Sequence, residues 1–368
     1  MEERLPGLKD DALRLIAKKI VQDKPVSAED ALAMLTTGHI SELGFLANLV
    51  KKRLHGDTVY YSVNMNLNYT NICELRCPLC AFSCSAGDPG TYALSLDEIE
   101  SRVRTAVKGG IDEVHIVGGL NPSLKIDYFE EMLRRIKKIN PNLFIVAFTA
   151  VEYDYFARIN GIPLNEVFAR LQKAGLGALP GGGAEIFSPA IRQVIAPTKI
   201  SGRRWLEVMR TAHELGLKTN ATMLYNHLEH PQDIVDHLSQ LRALQDETGG
   251  FKTFVPLVFH GKNTQITSRH RESTGFDDIR IFATARIFLH NIPHLKAHWM
   301  YLGEKTAQIL LHFGADDISG TYHNEKVVHS AGAATADTGS EAGIRTLIEQ
   351  AGLKPVRAAA DYATRIRK

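Results

Sequence analysis

Apolar positions recur along this chain with two different periods, and the switch between them predicts the fold class. From residue 9 to 55 the period is helical: Leu13, Ile16, Ala17 and Ile20 share one face, as do Leu43, Leu46, Ala47 and Val50. Ser27 and Asp30 make a capping-box start for a helix between those two. At residue 59 the period becomes two. Val59, Tyr61, Val63, Met65 and Leu67 fall on one face of a predicted strand, and Asn64, Asn66 and Asn68 on the other. Three amides on one face, in a strand that runs straight into a loop, predict a polar pocket.

Beyond residue 95 helix and strand alternate. One helix starts at Ser95 with Glu98 and ends at Gly109–Gly110. Others run over Pro231–Gln245, with Ile234, Leu238, Leu241 and Leu244 inward, and over Phe276–His290. Strands are predicted at Glu113–Val117, Leu143–Phe148, Gly177–Pro180, Lys218–Leu224, Phe251–Phe259 and Leu295–Met300, with a weaker one at Asp316–Thr321. Strands separated by single helices pair in parallel through right-handed crossovers. The expected architecture is therefore an α/β TIM-type (β/α) barrel over residues 58–330. An N-terminal helical cap (1–57) precedes it, and a C-terminal helical extension (331–368) around Ile344, Leu347 and Ile348 follows.

Chemistry in such barrels collects at the C-terminal ends of the strands, and the unusual residues of this chain sit there. A cysteine-rich loop follows the first strand, Gly118–Gly119 the second and Thr149 to Glu152 the third. Gly181–Gly183 with Glu185 follow the fourth, Tyr225–His227 the fifth, His260 with Asn263 and Thr264 the sixth, and Gly303 the seventh.

Composition removes several function classes. With 43 basic and 41 acidic side chains among 368 residues, there is no field for nucleic acid or a membrane surface. The N-terminus is acidic and amphipathic, unlike a secretory signal, and no apolar run reaches membrane-spanning length. A cytoplasmic protein with reduced thiols is expected.

All four cysteines lie within the loop 68–92. Cys73, Cys77 and Cys80 have the spacing C-x3-C-x2-C, and Cys84 follows. Three thiolates can hold three irons of a [4Fe–4S] cube, whereas an electron-transfer cube takes four. The fourth iron is then open to a small molecule such as S-adenosylmethionine, through its amino and carboxylate groups. A structural zinc knot and a four-Cys electron carrier are the alternatives, although zinc sites usually pair two clips across a spacer. In the three-Cys reading Cys84 is a bystander. Gly118–Gly119 would let backbone approach the methionine moiety, Phe82 would cover cluster and adenine, and Glu185 would take ribose hydroxyls. His227 and His260 could bind a substrate carboxylate or move a proton. Arg76 and Lys199 are cations that could face anionic ligands, and Trp205 reads as core.

The motif CELRCPLC matches the cysteine run of radical SAM enzymes. HIVGGLNP (115–122), LPGGGAEIFSP (179–189), RWLEVMRTAHELGLKTNATMLY (204–225), LRALQDETGGF (241–251) and FGADDISGT (313–321) resemble the menaquinone and deazaflavin branch of that superfamily. Within it, AFTAVE (147–152), LVFHGKNT (257–264), HWMYLGEKTAQ (298–308) and VVHSAGA (327–333) are similar to aminofutalosine synthases rather than to dehypoxanthinyl futalosine cyclases. Two positions depart: His298 stands where tyrosine is expected, and Asn226 where glycine is common.

The resemblance implies a transferase that consumes S-adenosylmethionine. Its 5′-deoxyadenosyl radical would add to 3-[(1-carboxyvinyl)oxy]benzoate, with rearrangement and loss of the carboxyl carbon, to give 6-amino-6-deoxyfutalosine in the futalosine pathway of menaquinone biosynthesis. It further implies a [4Fe–4S] cluster on Cys73, Cys77 and Cys80, with S-adenosylmethionine against Phe82, Gly118, Gly119, Thr149 and Glu185. The aromatic dicarboxylate would lie against Asn66, Arg76, His260 and Asn263, with His260 and His227 catalytic. A flavodoxin- or ferredoxin-type electron donor and a possible homodimer complete the expectation.

Overall fold

The computed structural model describes residues 7–266, 273–322, 325–336 and 338–362. Three helices come first: α1 (Asp11–Val21), α2 (Ala28–Thr36) and α3 (Ile40–His55). Asp10 caps α1 by accepting the Leu13 N–H, and Ser27 and Asp30 cap α2 reciprocally, as the sequence pattern requires.

The expected strand over residues 59–68 is in fact two, β1 (Thr58–Ser62) and β2 (Asn64–Leu67). The chain changes sheets at Val63. The Thr321 hydroxyl marks the switch, accepting the Asn64 N–H at 3.0 Å and donating to the Asn64 carbonyl at 2.9 Å. Those two bonds replace ladder bonds that β2 lacks on this edge.

The chain continues through α4 (Leu96–Lys108), β3 (Glu113–Ile116), α5 (Ile126–Ile139), β4 (Phe144–Ala147), α6 (Ala150–Asn160) and α7 (Leu164–Ala174). Next come β5 (Ala178–Leu179), α8 (Pro189–Ile195), α9 (Gly202–Glu214), β6 (Lys218–Tyr225), α10 (Pro231–Thr248), β7 (Phe251–Val258), α11 (Gly275–Phe288) and β8 (His294–Leu295). Strands β2 to β8 form one parallel seven-stranded sheet in chain order, the arrangement of a (β/α) barrel. Helices α2 and α3 pack on α10 and α11. Trp205 is fully buried, with its indole N–H on the Gly182 carbonyl at 3.2 Å. No helix among the described residues is long and apolar enough to cross a membrane.

The barrel is partial, and its seam corrects two expectations. Strand structure at 295–300 ends at Leu295, and α12 (Trp299–Leu302) begins four residues later, followed by α13 (Glu304–Leu310). Here the chain leaves β7 to meet β9 (Asp317–Gly320): Ala297 N–H bonds Asp317 O, and the Trp299 indole bonds Gly320 O. β9, the strand expected at Asp316–Thr321, pairs with β1 in a three-stranded sheet and meets the end of β8 through only one parallel bridge, Lys296 to Asp317, so no continuous ladder closes the barrel there.

The second correction is at the C-terminus. After α14 (Val327–Ser330) and α15 (Glu341–Gln350), β10 (Lys354–Arg357) pairs in parallel with the other edge of β1, so the extension is not helical throughout. A four-residue edge strand containing Pro355 carries little strand signal. The following residues fold under the barrel. Ala360 N–H bonds Glu113 Oε2 at 2.6 Å, and the Tyr362 ring stacks on His294 at 3.5 Å.

Candidate active site

The cysteine loop is closed by main-chain bonds at its base. Cys84 N–H bonds Asn71 O at 2.8 Å and Cys73 N–H bonds Cys84 O at 3.0 Å, while the Asn71 side chain ties in Gly90 and Tyr92. Cys84 thus has a backbone role, and its thiol is absent from the cavity wall. Cys77 and Cys80 are joined by a tight turn at 2.9 Å, and the Thr198 hydroxyl lies 3.6 Å from Cys77 Sγ. Cys73, Cys77 and Cys80 all line one cavity of about 320 Å³ that runs down the inside of the sheet.

The spacing of these thiols separates the readings left open by the sequence. Sulfurs around one tetrahedral zinc would stand about 3.8 Å apart, given the ordinary Zn–S bond. Among the described residues, the His/Cys/Asp/Glu trio whose ligand atoms all lie within 4.8 Å of one another is His55, His294 and Asp316, not the cysteines. That trio is held by Arg286, which pairs with Asp316. The three thiols do not all lie within 4.8 Å of one another, which does not match one tetrahedral zinc, and they are free of disulfides.

Gly118 and Gly119 follow β3 and lie against the cysteine loop. A Cβ on Gly119 would sit 2.2 Å from Ile72 O and 3.1 Å from Cys73 Cβ, and one on Gly118 would sit 2.6 Å from the Tyr69 ring. Chain packing therefore demands glycine here, and both residues also face the cavity. Glu152 secures the turn. It accepts N–H bonds from Gly118 (3.2 Å) and Thr149 (2.7 Å) and the Tyr69 hydroxyl (2.8 Å). Burial pushes its carboxyl up to about 7. Thr149 is the N-cap of α6, which places Glu152 in the capping box.

Glu185 lies after β5 in a left-handed conformation (φ +49°) and is paired with Lys199 at 2.5 Å. Burial alone would raise the Glu185 carboxyl and lower the Lys199 ammonium. Their mutual attraction reverses both shifts, and the thiols of Cys77 and Cys80 add to the upward shift of Lys199. An ammonium thus stands beside the thiols, where it offsets thiolate charge.

The remaining candidates divide. Asn66, Phe82 and His260 face the cavity, together with the glycines, Thr149 and Glu185. His260 bonds Tyr301 O through Nε2 at 2.9 Å, so that nitrogen carries the hydrogen and Nδ1 is an acceptor. His227, Arg76 and Asn263 do not line the cavity. Both His227 nitrogens serve its own loop, on Leu224 O and Leu228 N–H. Arg76 turns to Ser83 O and Asp88, and Asn263 to Ser330 O. His227 and Arg76 brace their own loops and Asn263 reaches across to α14, so none of the three faces the cavity as the sequence reading expected.

The sequence reading missed a polar group deeper in the barrel: Glu113, His115, Lys296, His298 and Tyr322. Strand alternation was the available signal, since Glu113 and His115 are two apart on β3 and Lys296 and His298 two apart after β8. Lys296 pairs with Asp317 at 3.2 Å. Nearby, Lys252 bonds the Asn220 side chain, and burial with the neighbouring Lys296 brings its ammonium down to about 7.

Residues 67–241 match the radical SAM superfamily and residues 248–367 the CofH/MqnC C-terminal region. The chain is 40% identical to an aminodeoxyfutalosine synthase of Thermus thermophilus, over 97% of this chain and 96% of that one. It is 36% identical to a cyclic dehypoxanthine futalosine synthase of Streptomyces coelicolor, over 92% of this chain and 85% of the other. The crystal structure of methylornithine synthase superposes with a TM-score of 0.75 at 15% identity, covering 93% of this chain and 97% of that one, a likeness of fold. The chain belongs to the radical SAM superfamily, in the branch that carries the CofH/MqnC C-terminal region. Enzymes of this superfamily use a [4Fe–4S] cluster and S-adenosylmethionine. The donor set fits both, with three cavity-facing thiols, no fourth, and open space beside them.

Proposed function

We propose that this radical SAM enzyme is an aminodeoxyfutalosine synthase. It joins the adenosyl group of S-adenosylmethionine to 3-[(1-carboxyvinyl)oxy]benzoate and releases 6-amino-6-deoxyfutalosine, with loss of the carboxyl carbon, in the futalosine route to menaquinone. The 40% identity to the Thermus synthase along nearly all of both chains supports the reaction. The observation that carries the reading is a single cavity with the three thiols at one end and cationic and imidazole groups at the other. A ligand that is apolar in the middle and anionic at both ends suits that distribution.

Cys73, Cys77 and Cys80 would hold the cluster, which, once reduced by its donor, would supply the electron for reductive cleavage of S-adenosylmethionine to methionine and a 5′-deoxyadenosyl radical. The chain's own contribution is positioning and exclusion. Gly118 and Gly119, fixed by Glu152, form the wall beside the thiols. The Glu185–Lys199 pair neutralises charge there and offers a carboxylate to ribose hydroxyls. Leu224, Val255, Leu257 and Phe259 line the middle of the cavity and keep water and stray polar groups from a reactive carbon. His260, held by Tyr301 O, presents Nδ1 to accept a proton. A one-electron donor of flavodoxin or ferredoxin type and a cytoplasmic setting, where thiols stay reduced, complete the proposal.

The test is anaerobic turnover of the purified, reconstituted enzyme with the enolpyruvyl benzoate, following products by mass. An adenosyl-bearing product is expected. Release of 5′-deoxyadenosine without an adduct would instead mark a hydrogen-abstracting cyclase and overturn the reading.

A further inference from the structure

Asn66 and His115 are register partners, each third in its strand, and both face into the barrel. Lys296 and His298 approach the same space from beyond β8. Asn66 and Lys296 are 9% exposed and His298 8%. Polar groups buried this deeply are nearly always hydrogen-bonded, because leaving one unpaired is costly. Here three are unpaired: His115 Nε2, His298 Nδ1 and Asn66 Oδ1. Neither imidazole has a hydrogen-bond partner among the described residues. The His298 ring is set by stacking on Tyr322, with centroids 4.6 Å apart, and the Tyr322 hydroxyl is taken by Ser319.

Those three unpaired atoms are sealed from the cavity, and the other polar atom of each side chain (Asn66 Nδ2, His115 Nδ1, His298 Nε2) has no partner among the described residues either. Burial, reinforced by Lys296, keeps both imidazoles neutral, so each carries one N–H. Asn66 has an amide NH2, and Lys296 remains an ammonium beside Asp317. Glu113, on the same wall, is bonded to Ala360 N–H and Asn64 and lies near Lys252 and Lys296, which offset it. The Asn66 amide NH2, one N–H on each neutral imidazole and the Lys296 ammonium thus converge from two sides of the barrel, alongside the acceptors Asn66 Oδ1 and the second nitrogen of each ring. A carboxylate, which only accepts, completes such a set.

We propose that His115, His298, Lys296 and Asn66 form a carboxylate subsite that seats the ring carboxylate of the aromatic substrate, at the end of the cavity remote from the cysteines. The assignment to that carboxylate rests on the synthase reading. The enol-ether carboxylate, bound to the reacting carbon, then lies toward the thiols and His260. Val146, the register partner of His115, lies beside the subsite, and Val117, just past β3, and Leu257, near the end of β7, line the cavity nearer the cysteine loop.

The test combines two substrates with two proteins. On the wild-type holoenzyme, the analogue lacking the ring carboxylate is compared with the full substrate, and a rise in KM of roughly 10- to 100-fold is expected, as for lost hydrogen bonds to a charged group. In His298→Phe, which keeps the ring stacked on Tyr322, and in His115→Phe, KM for the full substrate rises by a similar factor. The penalty for the analogue shrinks, and KM for S-adenosylmethionine is unchanged. Equal KM values for both substrates on the wild type, or an undiminished penalty in both variants, would overturn the subsite. Calorimetric binding of isophthalate to the same proteins needs no turnover. If the wild type makes no adenosylated product yet binds isophthalate and the variants do not, the synthase reading fails and the subsite stands. If the wild type does not bind isophthalate and is indifferent to the ring carboxylate, the subsite falls.

Discussion

Glu152 accepts the N–H of Gly118 at 3.2 Å, and through that bond the first turn of α6 holds the glycine turn against the cysteine loop. The same carboxylate takes the Thr149 N–H and the Tyr69 hydroxyl. Removing it leaves three buried donors with less than they need. Glu152→Ala is expected to lower stability by about 2–4 kcal/mol, read by chemical denaturation, and to weaken S-adenosylmethionine binding in equilibrium dialysis. Glu152→Gln keeps one acceptor oxygen and should lose less. A Glu152→Ala variant as stable as the wild type would show that the turn is held otherwise.

Cluster content should depend on the cysteines unequally. Cys73→Ala, Cys77→Ala and Cys80→Ala each remove a thiol from the cavity wall and are expected to lose the cluster. Cys84→Ala keeps the backbone bonds through which that residue acts. It should therefore retain about four irons per chain, the content of one cube. Iron and sulfide analysis after anaerobic reconstitution checks this, and loss of iron in Cys84→Ala would restore a four-thiol site.

Gly119→Ala tests how closely two chain segments meet. The added methyl would lie 2.2 Å from the Ile72 carbonyl oxygen, which is backbone and cannot swing aside. A cost of about 1–3 kcal/mol is expected from overpacking, together with reduced iron because Cys73 is displaced. A melting temperature and iron content equal to wild type would rule out this crowding.

Stability should fall in mild acid through buried imidazoles. Burial brings His213 down to about 4 and His237 to about 3, both below the ordinary value of 6.5. Between those limits the unfolded chain holds a proton that the folded one refuses, so stability is lost as pH falls below about 6.5. Glu152, raised to about 7, acts in the opposite sense between pH 4.5 and 7. The His213 contribution is isolated by difference. Replacing it by glutamine should flatten the pH dependence of unfolding free energy by about 1.4 kcal/mol per pH unit within the window, and an unchanged slope would show that His213 takes up its proton when folded.

Deleting the chain beyond Arg357 should damage both stability and the floor of the cavity. It removes the Ala360 N–H from Glu113 and the Tyr362 hydroxyl from Asp317. The unsatisfied Glu113 alone should cost about 1–3 kcal/mol. Thermal denaturation and KM for the aromatic substrate measure the effect, and a truncated chain with wild-type values for both would show that this segment only decorates the barrel.

The sequence by itself determined whatever depends on near neighbours along the chain. The helical and alternating periods specified the order of elements and hence the parallel sheet. Caps such as Ser27/Asp30 and Ser95/Glu98 form where the pattern places them, and three closely spaced cysteines implied a cluster with one open iron. Tertiary structure decided what depends on distant partners. His227, Arg76 and Asn263 follow strands just as His260 does, yet His227 and Arg76 turn into their own loops and Asn263 onto Ser330 of α14, because carbonyls and carboxylates there satisfy them. His115, Lys296 and His298 stand in stretches buried on both faces, where alternation marks a face without saying whether it looks into the barrel or out to the helices. The division at Val63 and the strand at Lys354–Arg357 depend on pairing across some 250 to 300 residues. Local propensity carries no record of a partner so far away, and only the closed set of hydrogen bonds in the folded chain supplies it.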